Sequence, residues 1–205
     1  MSRRHVAFAE LYSTKIRAKL RSLRDDEGLL DLRAELLTAA LLLTEKSFSV
    51  EYETNNAHSQ RWPDFTVTFK THTQFNVEVR RIRSMELEDE DAGATVVKLM
   101  SVLCDKVGQM PPSFINLLWM HAEGDFAEAD LVAATLTLRQ LAERKDEAFF
   151  VQRKFKSATD FLKQYQQLSA IVIEQTDART LWLNPLARHK VVPALVSAIG
   201  RIAKL

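Results

Sequence analysis

The chain has 205 residues, of which 46% are hydrophobic and 27% are charged, and its 28 basic and 27 acidic side chains leave a formal charge of +1. A chain of this size buries enough apolar surface to fold without disulfides or a structural metal, and its single Cys104 excludes an intramolecular disulfide and a cysteine-rich zinc site. The near-neutral charge excludes a protein that is basic over its whole surface, as the simplest nucleic-acid-binding proteins are, but leaves a local basic patch open.

The N-terminal part of the chain is predicted to be helical. Apolar residues recur at near-helical spacing over residues 6–24, with basic residues between them, which predicts an amphipathic helix with a basic face. That face could lie along phosphates or contact solvent, and solvent is favoured because the acidic residues 25–27 follow at once. A second helix is predicted over residues 28–44, where apolar residues cover more than one stripe, so both of its sides should be buried.

Three strands are predicted next. Apolar and polar side chains alternate in residues 48–53, 64–70 and 75–83, and a period of two is typical of half-buried strands. The last two segments are close enough along the chain to pair as an antiparallel hairpin. Their apolar residues all have odd numbers, so any register that pairs apolar with apolar leaves a second, polar face.

The predicted hairpin brings acidic side chains together on this polar face. The simplest turn, centred on His72, sets Asp64 opposite Arg80 and Thr66 opposite Glu78. Asp64 and Glu78 are then diagonal neighbours, with backbones about 7–8 Å apart. A slip of two residues in register would keep the faces and change only the distances.

Helices and strands alternate through the rest of the chain. Helices are predicted over residues 92–107, 125–144, 147–166 and 193–205, and strands over residues 114–120, 168–174 and 181–183. The acidic run of residues 86–91 is interpreted as a solvated loop before the first of these helices; near an active site it would repel DNA. Together the elements predict a single α/β domain with a mixed β-sheet flanked by α-helices.

Two neighbouring carboxylates need a cation or a proton between them. An all-oxygen pair with room for water suits Mg²⁺, or Mn²⁺ in its place, and a metal so held can lower the pKa of a bound water and stabilise charge on phosphorus. Asp64 and Glu78 are therefore the predicted metal ligands. Arg80, two residues after Glu78 and on its face, could add positive charge to the same site.

At these residues the sequence resembles the PD-(D/E)XK phosphodiesterase superfamily. The matching residues are Pro63-Asp64, then thirteen residues, then Glu78-Val79-Arg80. In that superfamily the two acids lie on neighbouring strands of a hairpin, and the core runs helix, three strands, helix, strand. The resemblance implies a restriction-endonuclease-like core over residues 28–174, preceded by the N-terminal basic helix of residues 1–27 and followed by a C-terminal strand and helix in residues 175–205.

The resemblance also implies an activity and further site residues. Most members are Mg²⁺-dependent nucleases, so the chain is expected to be an endonuclease or exonuclease that holds Mg²⁺ or Mn²⁺ on Asp64 and Glu78. Many members carry an acid on the preceding helix, for which Glu35 is the candidate here. Polar residues of the following helix often face the site, which makes Lys98, Asp105 and Gln109 candidates.

One residue departs from the superfamily pattern, because Arg80 stands where most members have lysine. A guanidinium group stays charged at physiological pH and is a poor proton acceptor, although it can stabilise a phosphorane. Lys98 could substitute for the missing lysine. The alternative is a degenerate, non-cleaving domain that binds nucleic acid or protein, with Asp64 and Arg80 as an ion pair.

The remaining sequence features exclude several classes of cofactor and binding partner. The five glycines form neither a dinucleotide-binding nor a phosphate-binding loop, so nucleotide cofactors are not expected. The most apolar run, residues 36–43, is far shorter than the roughly twenty residues of a membrane span, and no signal peptide is recognisable. We therefore expect a cytoplasmic protein without a membrane partner, with nucleic acid, DNA first, as its partner and homodimer formation left open.

Overall fold

The structure, a computed structural model, describes residues 2–53, 63–83, 92–123, 127–175 and 178–203. The acidic run of residues 86–91 lies outside the described residues. The helices of the described chain are α1 (Arg3–Leu11), α2 (Ser13–Ser22), α3 (Asp26–Leu42), α4 (Ala92–Val107), α5 (Glu128–Glu143), α6 (Glu147–Gln152), α7 (Ala158–Tyr165) and α8 (Pro193–Ala203). The strands are β1 (Phe48–Tyr52), β2 (Phe65–Phe69), β3 (Thr73–Ile82), β4 (Ile115–Ala122), β5 (Leu168–Glu174) and β6 (Arg179–Leu183).

The strands of the described chain form one mixed, six-stranded sheet in which spatial order follows chain order, β1 to β6. The first three strands are antiparallel neighbours, β3, β4 and β5 are parallel to one another, and β6 is antiparallel to β5. The parallel pairs are joined by helices, as parallel strands require. The predicted α/β class with a mixed sheet flanked by helices is confirmed.

Helices cover both faces of the sheet because alternate residues of the inner strands are apolar on both sides. On one face, α1, α3 and α8 pack on side chains that include Val77, Val79 and Trp119. On the opposite face, α4, α5 and α7 pack on side chains that include Leu118 and Ile171. Each face is thus a separate layer of the core, and α3 and α4 lie on opposite sides of β3.

Two predicted helices are each divided in the structure. The predicted N-terminal helix of residues 6–24 is α1 and α2, with Tyr12 between them in a non-helical conformation. The predicted helix of residues 147–166 is α6 and α7, because Lys154 adopts a positive φ of 69° and Ser157 caps a new helix through the amide of Asp160. The remaining predicted helices and strands are confirmed to within a few residues at each end.

The register of the hairpin differs from the predicted one by two residues. Phe65 lies opposite Val77, and Phe69 lies opposite Thr73. The turn is therefore centred on Thr71 rather than His72, and it is made possible by Lys70, which adopts a left-handed φ of 57°. The apolar and polar faces are as predicted, but one further step of this register sets Asp64 opposite Glu78 rather than Arg80.

Among the described residues, no helix combines the length and the apolar character needed to cross a membrane.

Candidate metal centre

The candidate site lies where β2 separates from β3. β3 pairs with β2 only as far as Val77, whereas it continues beside β4 to Ile82. At the point of separation, the Asp64 carboxylate replaces a strand carbonyl, since its Oδ2 accepts a hydrogen bond from the Val79 amide at 2.7 Å. The backbone carbonyl of Asp64 accepts a hydrogen bond from the Glu53 amide at 2.9 Å, which fixes the end of β1 to the same point.

Three carboxylates converge here. One oxygen each of Glu35, Glu53 and Asp64 lie within 4.8 Å of one another. Glu35 comes from the middle of α3, Glu53 follows β1, and Asp64 precedes β2. Glu53 has a positive φ of 42°, a conformation that costs a non-glycine residue about 1–2 kcal/mol and is concentrated at functional sites.

A lysine from outside the predicted core binds two of these carboxylates. Lys19 of α2 donates to both oxygens of Glu35 at 2.8 and 2.7 Å and to Glu53 Oε1 at 3.0 Å. The Tyr52 hydroxyl donates to Glu35 Oε2 at 2.8 Å and so fixes the orientation of that carboxylate. One turn earlier on α2, Lys15 donates to the carbonyls of Tyr52 and Glu53. Part of the basic face, which was predicted to contact solvent, therefore contacts α3 and the end of β1 instead.

Glu78 lies beside this cluster and has its own cation. Lys106 of α4 donates to Glu78 Oε1 at 2.5 Å, and only 16% of the Glu78 side chain is exposed. Gln109, one of the predicted polar residues of this helix, lines a small pocket together with Glu78 and Lys106. The site thus contains carboxylates from α3 and from three strands or strand ends, and ammonium groups from α2 and α4.

The predicted site residues fall into two groups. Glu35 and Asp64 meet in the cluster, and Glu78 is near enough for its charge to affect Asp64. Arg80 lies next to Met120 of β4, two residues beyond Glu78 along the strand. Lys98 is half-buried in the middle of α4, about two turns before Lys106, so the lysine that contacts Glu78 is not the predicted one.

Asp64 is buried among other acids, and this raises its pKa. Burial, with the negative charges of Glu78 and Glu35, raises the pKa of Asp64 to about 8, although the Val79 amide and Lys19 act in the opposite direction. At neutral pH, Asp64 therefore holds a proton for much of the time. A carboxylate that keeps a proton among other acids marks a position where a cation would be stabilised.

The donor set suits a hard divalent cation. Carboxylate oxygens are the ligands that Mg²⁺ and Mn²⁺ prefer, and these metals need only one or two of them because water and substrate complete the shell. Two oxygens bound to Mg²⁺ at about 2.1 Å are at most about 4.2 Å apart. Separations of up to 4.8 Å therefore allow a metal to bind after small side-chain movements.

Sequence reasoning missed Lys19, Glu53 and Lys106. The signal for Lys19 is its spacing of four residues from Lys15, which puts both on one helix face. Glu53 ends the alternating pattern of β1, but nothing in the sequence indicates its positive φ. Lys106 is on a correctly predicted helix, and which of its lysines meets β3 depends on how the helix packs.

Comparison of the chain with protein-family models, curated proteins and solved structures found no match.

Proposed function

We propose that the chain is a metal-dependent phosphodiesterase of the PD-(D/E)XK type that acts on nucleic acid. The observation that carries the proposal is the convergence of Glu35, Glu53 and Asp64 at the point where two strands separate. The order of α3, β1, β2, β3, α4 and β4 matches the helix, three strands, helix, strand that the resemblance implies, which supports the same assignment. The choice of nucleic acid as substrate rests on the resemblance.

In this proposal Asp64 is the central metal ligand, and Glu35, Glu53 or Glu78 provides the second carboxylate. The bound Mg²⁺ or Mn²⁺ would polarise the phosphate and lower the pKa of a water molecule. The chain itself positions the ligands, because the Val79 amide holds Asp64 and the Tyr52 hydroxyl holds Glu35. Ligands held in this way need little reorganisation when the metal binds.

Positive charge near the phosphate would come from α4 and from β3. Lys106 is held at Glu78, and Arg80 projects from the same strand two residues later. Either group can stabilise negative charge that develops on phosphorus. Arg80 cannot serve as a base at physiological pH, so the proton of the attacking water, acidified by the metal, would pass to a neutral lysine or to bulk water.

One observation favours a second candidate, a domain that no longer cleaves and serves as a binding module. The Lys19 ammonium group already neutralises part of the charge of Glu35 and Glu53. A permanent internal cation would remove the need for a metal. Under this alternative, the site would be a structural ion cluster, and no divalent metal would bind there.

Calorimetric titration with Mg²⁺ and Mn²⁺ separates the two candidates. The wild-type chain is expected to bind metal, and Asp64→Asn is expected to lose most of that binding because an amide is a poor ligand for a hard cation. Glu51→Gln is a matched control. It also converts a carboxylate to an amide and removes one negative charge, but Glu51 is exposed on β1. Binding in wild type and in both variants alike would exclude the proposed site.

Cleavage assays complete the test. Single-stranded and double-stranded DNA and RNA are incubated with wild type and with Asp64→Asn in Mg²⁺ or Mn²⁺. Cleavage by wild type that Asp64→Asn abolishes is the expected result. Metal binding without cleavage of any of these substrates would support the metal site and contradict the proposed phosphodiesterase activity.

A further inference from the structure

The Lys19 side chain occupies the position of a cation. Its Nζ lies 2.7–3.0 Å from three oxygens of Glu35 and Glu53, and 3.3 Å from the Tyr52 hydroxyl oxygen. The ammonium group also lies 5.5 Å from the centre of the Tyr52 ring. Only 28% of this lysine side chain is exposed, so it is held in the cluster rather than in solvent.

A metal ion and this ammonium group compete for the same oxygens. An ion bound to Glu35 and Glu53 at about 2.1 Å would lie within van der Waals distance of Nζ in its present position. The two cations would also repel each other in a partly buried site, where charge interactions are stronger than in water. The cluster can therefore hold Lys19 or a metal on these two carboxylates, but not both.

The helix that carries Lys19 is lightly held. None of the residues of α2 is buried, whereas α3 buries five. A groove of about 400 Å³ lies between α1, α2 and α3, and Ile16 of α2 is only partly buried where it packs against the core. Among the described contacts, the side-chain hydrogen bonds of α2 to α3 and to the end of β1 come from Lys15 and Lys19.

The preceding helix, in contrast, is firmly anchored. Arg4 of α1 donates to the carbonyls of Leu43 and Glu45 at 2.7 and 2.8 Å and to that of Phe48, and Phe8 is buried in the core. Tyr12 separates the two helices with a non-helical backbone. The chain therefore has a natural point at which α2 can move while α1 stays in place.

We propose that Lys19 is an internal inhibitor of the metal centre, and that α2 must leave the carboxylates of Glu35 and Glu53 before the site takes up a divalent cation. This inference rests on the proposed function. A phosphodiester substrate would favour the open state, because the freed Lys19 and its basic neighbours on α2 can bind phosphate. Metal and substrate would then bind cooperatively, and the free protein would have a low metal affinity.

The test compares the Mn²⁺ affinity of wild type, Lys19→Gln and Arg21→Gln by calorimetry. Arg21 is exposed on the same helix, so its variant makes the same charge change away from the cluster. Lys19→Gln is expected to bind Mn²⁺ roughly tenfold more tightly or better, within the range of ordinary coupling between sites. Equal affinity in all three proteins would overturn the inhibitor role and leave the proposed function intact. Absence of Mn²⁺ binding in all three would instead overturn the proposed function.

A measurement on the unmodified chain keeps the inference testable if Lys19→Gln folds poorly. Amide hydrogen exchange is followed with and without saturating Mn²⁺. Exchange in residues 13–22 is expected to become faster when the metal binds, while exchange in α1 stays the same. Unchanged exchange in residues 13–22 at saturation would show that α2 does not move, and the inhibitor role would be wrong.

Discussion

Two ion clusters of this protein have opposite designs. In the candidate metal centre, partly buried carboxylates accept hydrogen bonds from Lys19, which is on a helix without buried residues. In the second cluster, a buried arginine of the sheet receives carboxylates from the surface. Arg81 is 5% exposed and donates to Asp31 at 3.0 Å, to Glu123 at 2.8 Å and to Glu27, all of which are more than two-fifths exposed.

The difference lies in which partner can leave. Arg81 is part of β3, and its planar group meets acids in three directions, so removing it would require the sheet to open. Lys19 is on a peripheral helix, and the carboxylates that it would leave behind belong to a group that could hold a metal ion. The Arg81 cluster therefore clamps α3, β3 and β4 together, whereas the Lys19 cluster is exchangeable under our proposal.

Replacement of Arg81 should produce the largest effect on stability. Arg81→Met removes the cation and leaves Glu27, Asp31 and Glu123 facing one another. Since breaking a buried ion pair costs about 3–5 kcal/mol, and these acids are partly solvated, we expect a loss of about 2–4 kcal/mol in the free energy of unfolding. Urea denaturation followed by circular dichroism measures it. A loss below about 1 kcal/mol would contradict the clamp.

Asp64→Asn should stabilise the protein, in contrast to Arg81→Met, and the size of this effect should depend on pH. The folded-state pKa of about 8 lies above the unfolded value of about 3.8, so the folded wild type binds more protons and loses stability as pH rises from about 4 to 8. The amide avoids this cost and can still accept the Val79 hydrogen bond. The full pKa shift would correspond to about 5–6 kcal/mol at pH 9. Because the ionised site can relax and admit water, we expect Asp64→Asn to be more stable than wild type by about 1–3 kcal/mol at pH 9, and nearly equal to it at pH 4.

Denaturation of both proteins across this pH range tests the prediction without any metal. A stability difference between the two proteins that stays constant with pH would show that the pKa of Asp64 is not raised in the folded state. Glu51→Gln again provides the baseline, because its exposed carboxylate should change the stability by a few tenths of a kcal/mol at any pH.

Tyr52→Phe should have a moderate effect. The variant loses the hydrogen bond to Glu35 Oε2, but its ring keeps the stacked contact with Phe65 at 5.3 Å between centroids. We expect a loss of about 1 kcal/mol in the free energy of unfolding. We also expect weaker Mn²⁺ binding, because Glu35 is no longer oriented. Unchanged metal affinity together with the stability loss would limit Tyr52 to a structural role.

The fold was largely predictable because its elements follow simple periods. The alternation of apolar residues correctly predicted β1, β2 and β3, and it placed Asp64 and Glu78 on one polar face. The register was not predictable from this pattern, since a shift of two residues keeps every apolar pair. The turn that decides it needs Lys70 at a positive φ, and lysine gives no sequence signal for that conformation.

The site was only half predictable for a different reason. Asp64 was found from the polar face of the predicted hairpin, and Glu35 was found through the resemblance, which covers the core. Lys19 lies outside that core, and its inward direction depends on the break at Tyr12, which turns α2 toward the end of β1. Charge patterning gives a basic face but cannot say whether solvent or protein meets it.

A third ion pair should contribute the least to the stability of the protein. Arg139 and Glu143 lie four residues apart on α5, with 47% and 54% of their side chains exposed, and their nearest atoms are 2.6 Å apart. This distance is as short as those in the two clusters, but water screens the charges, so Arg139→Gln should cost at most about 0.5 kcal/mol. Urea denaturation at low and high salt checks this value. A cost that approaches that of Arg81→Met would show that distance, rather than burial and number of partners, sets the strength of ion pairs in this protein.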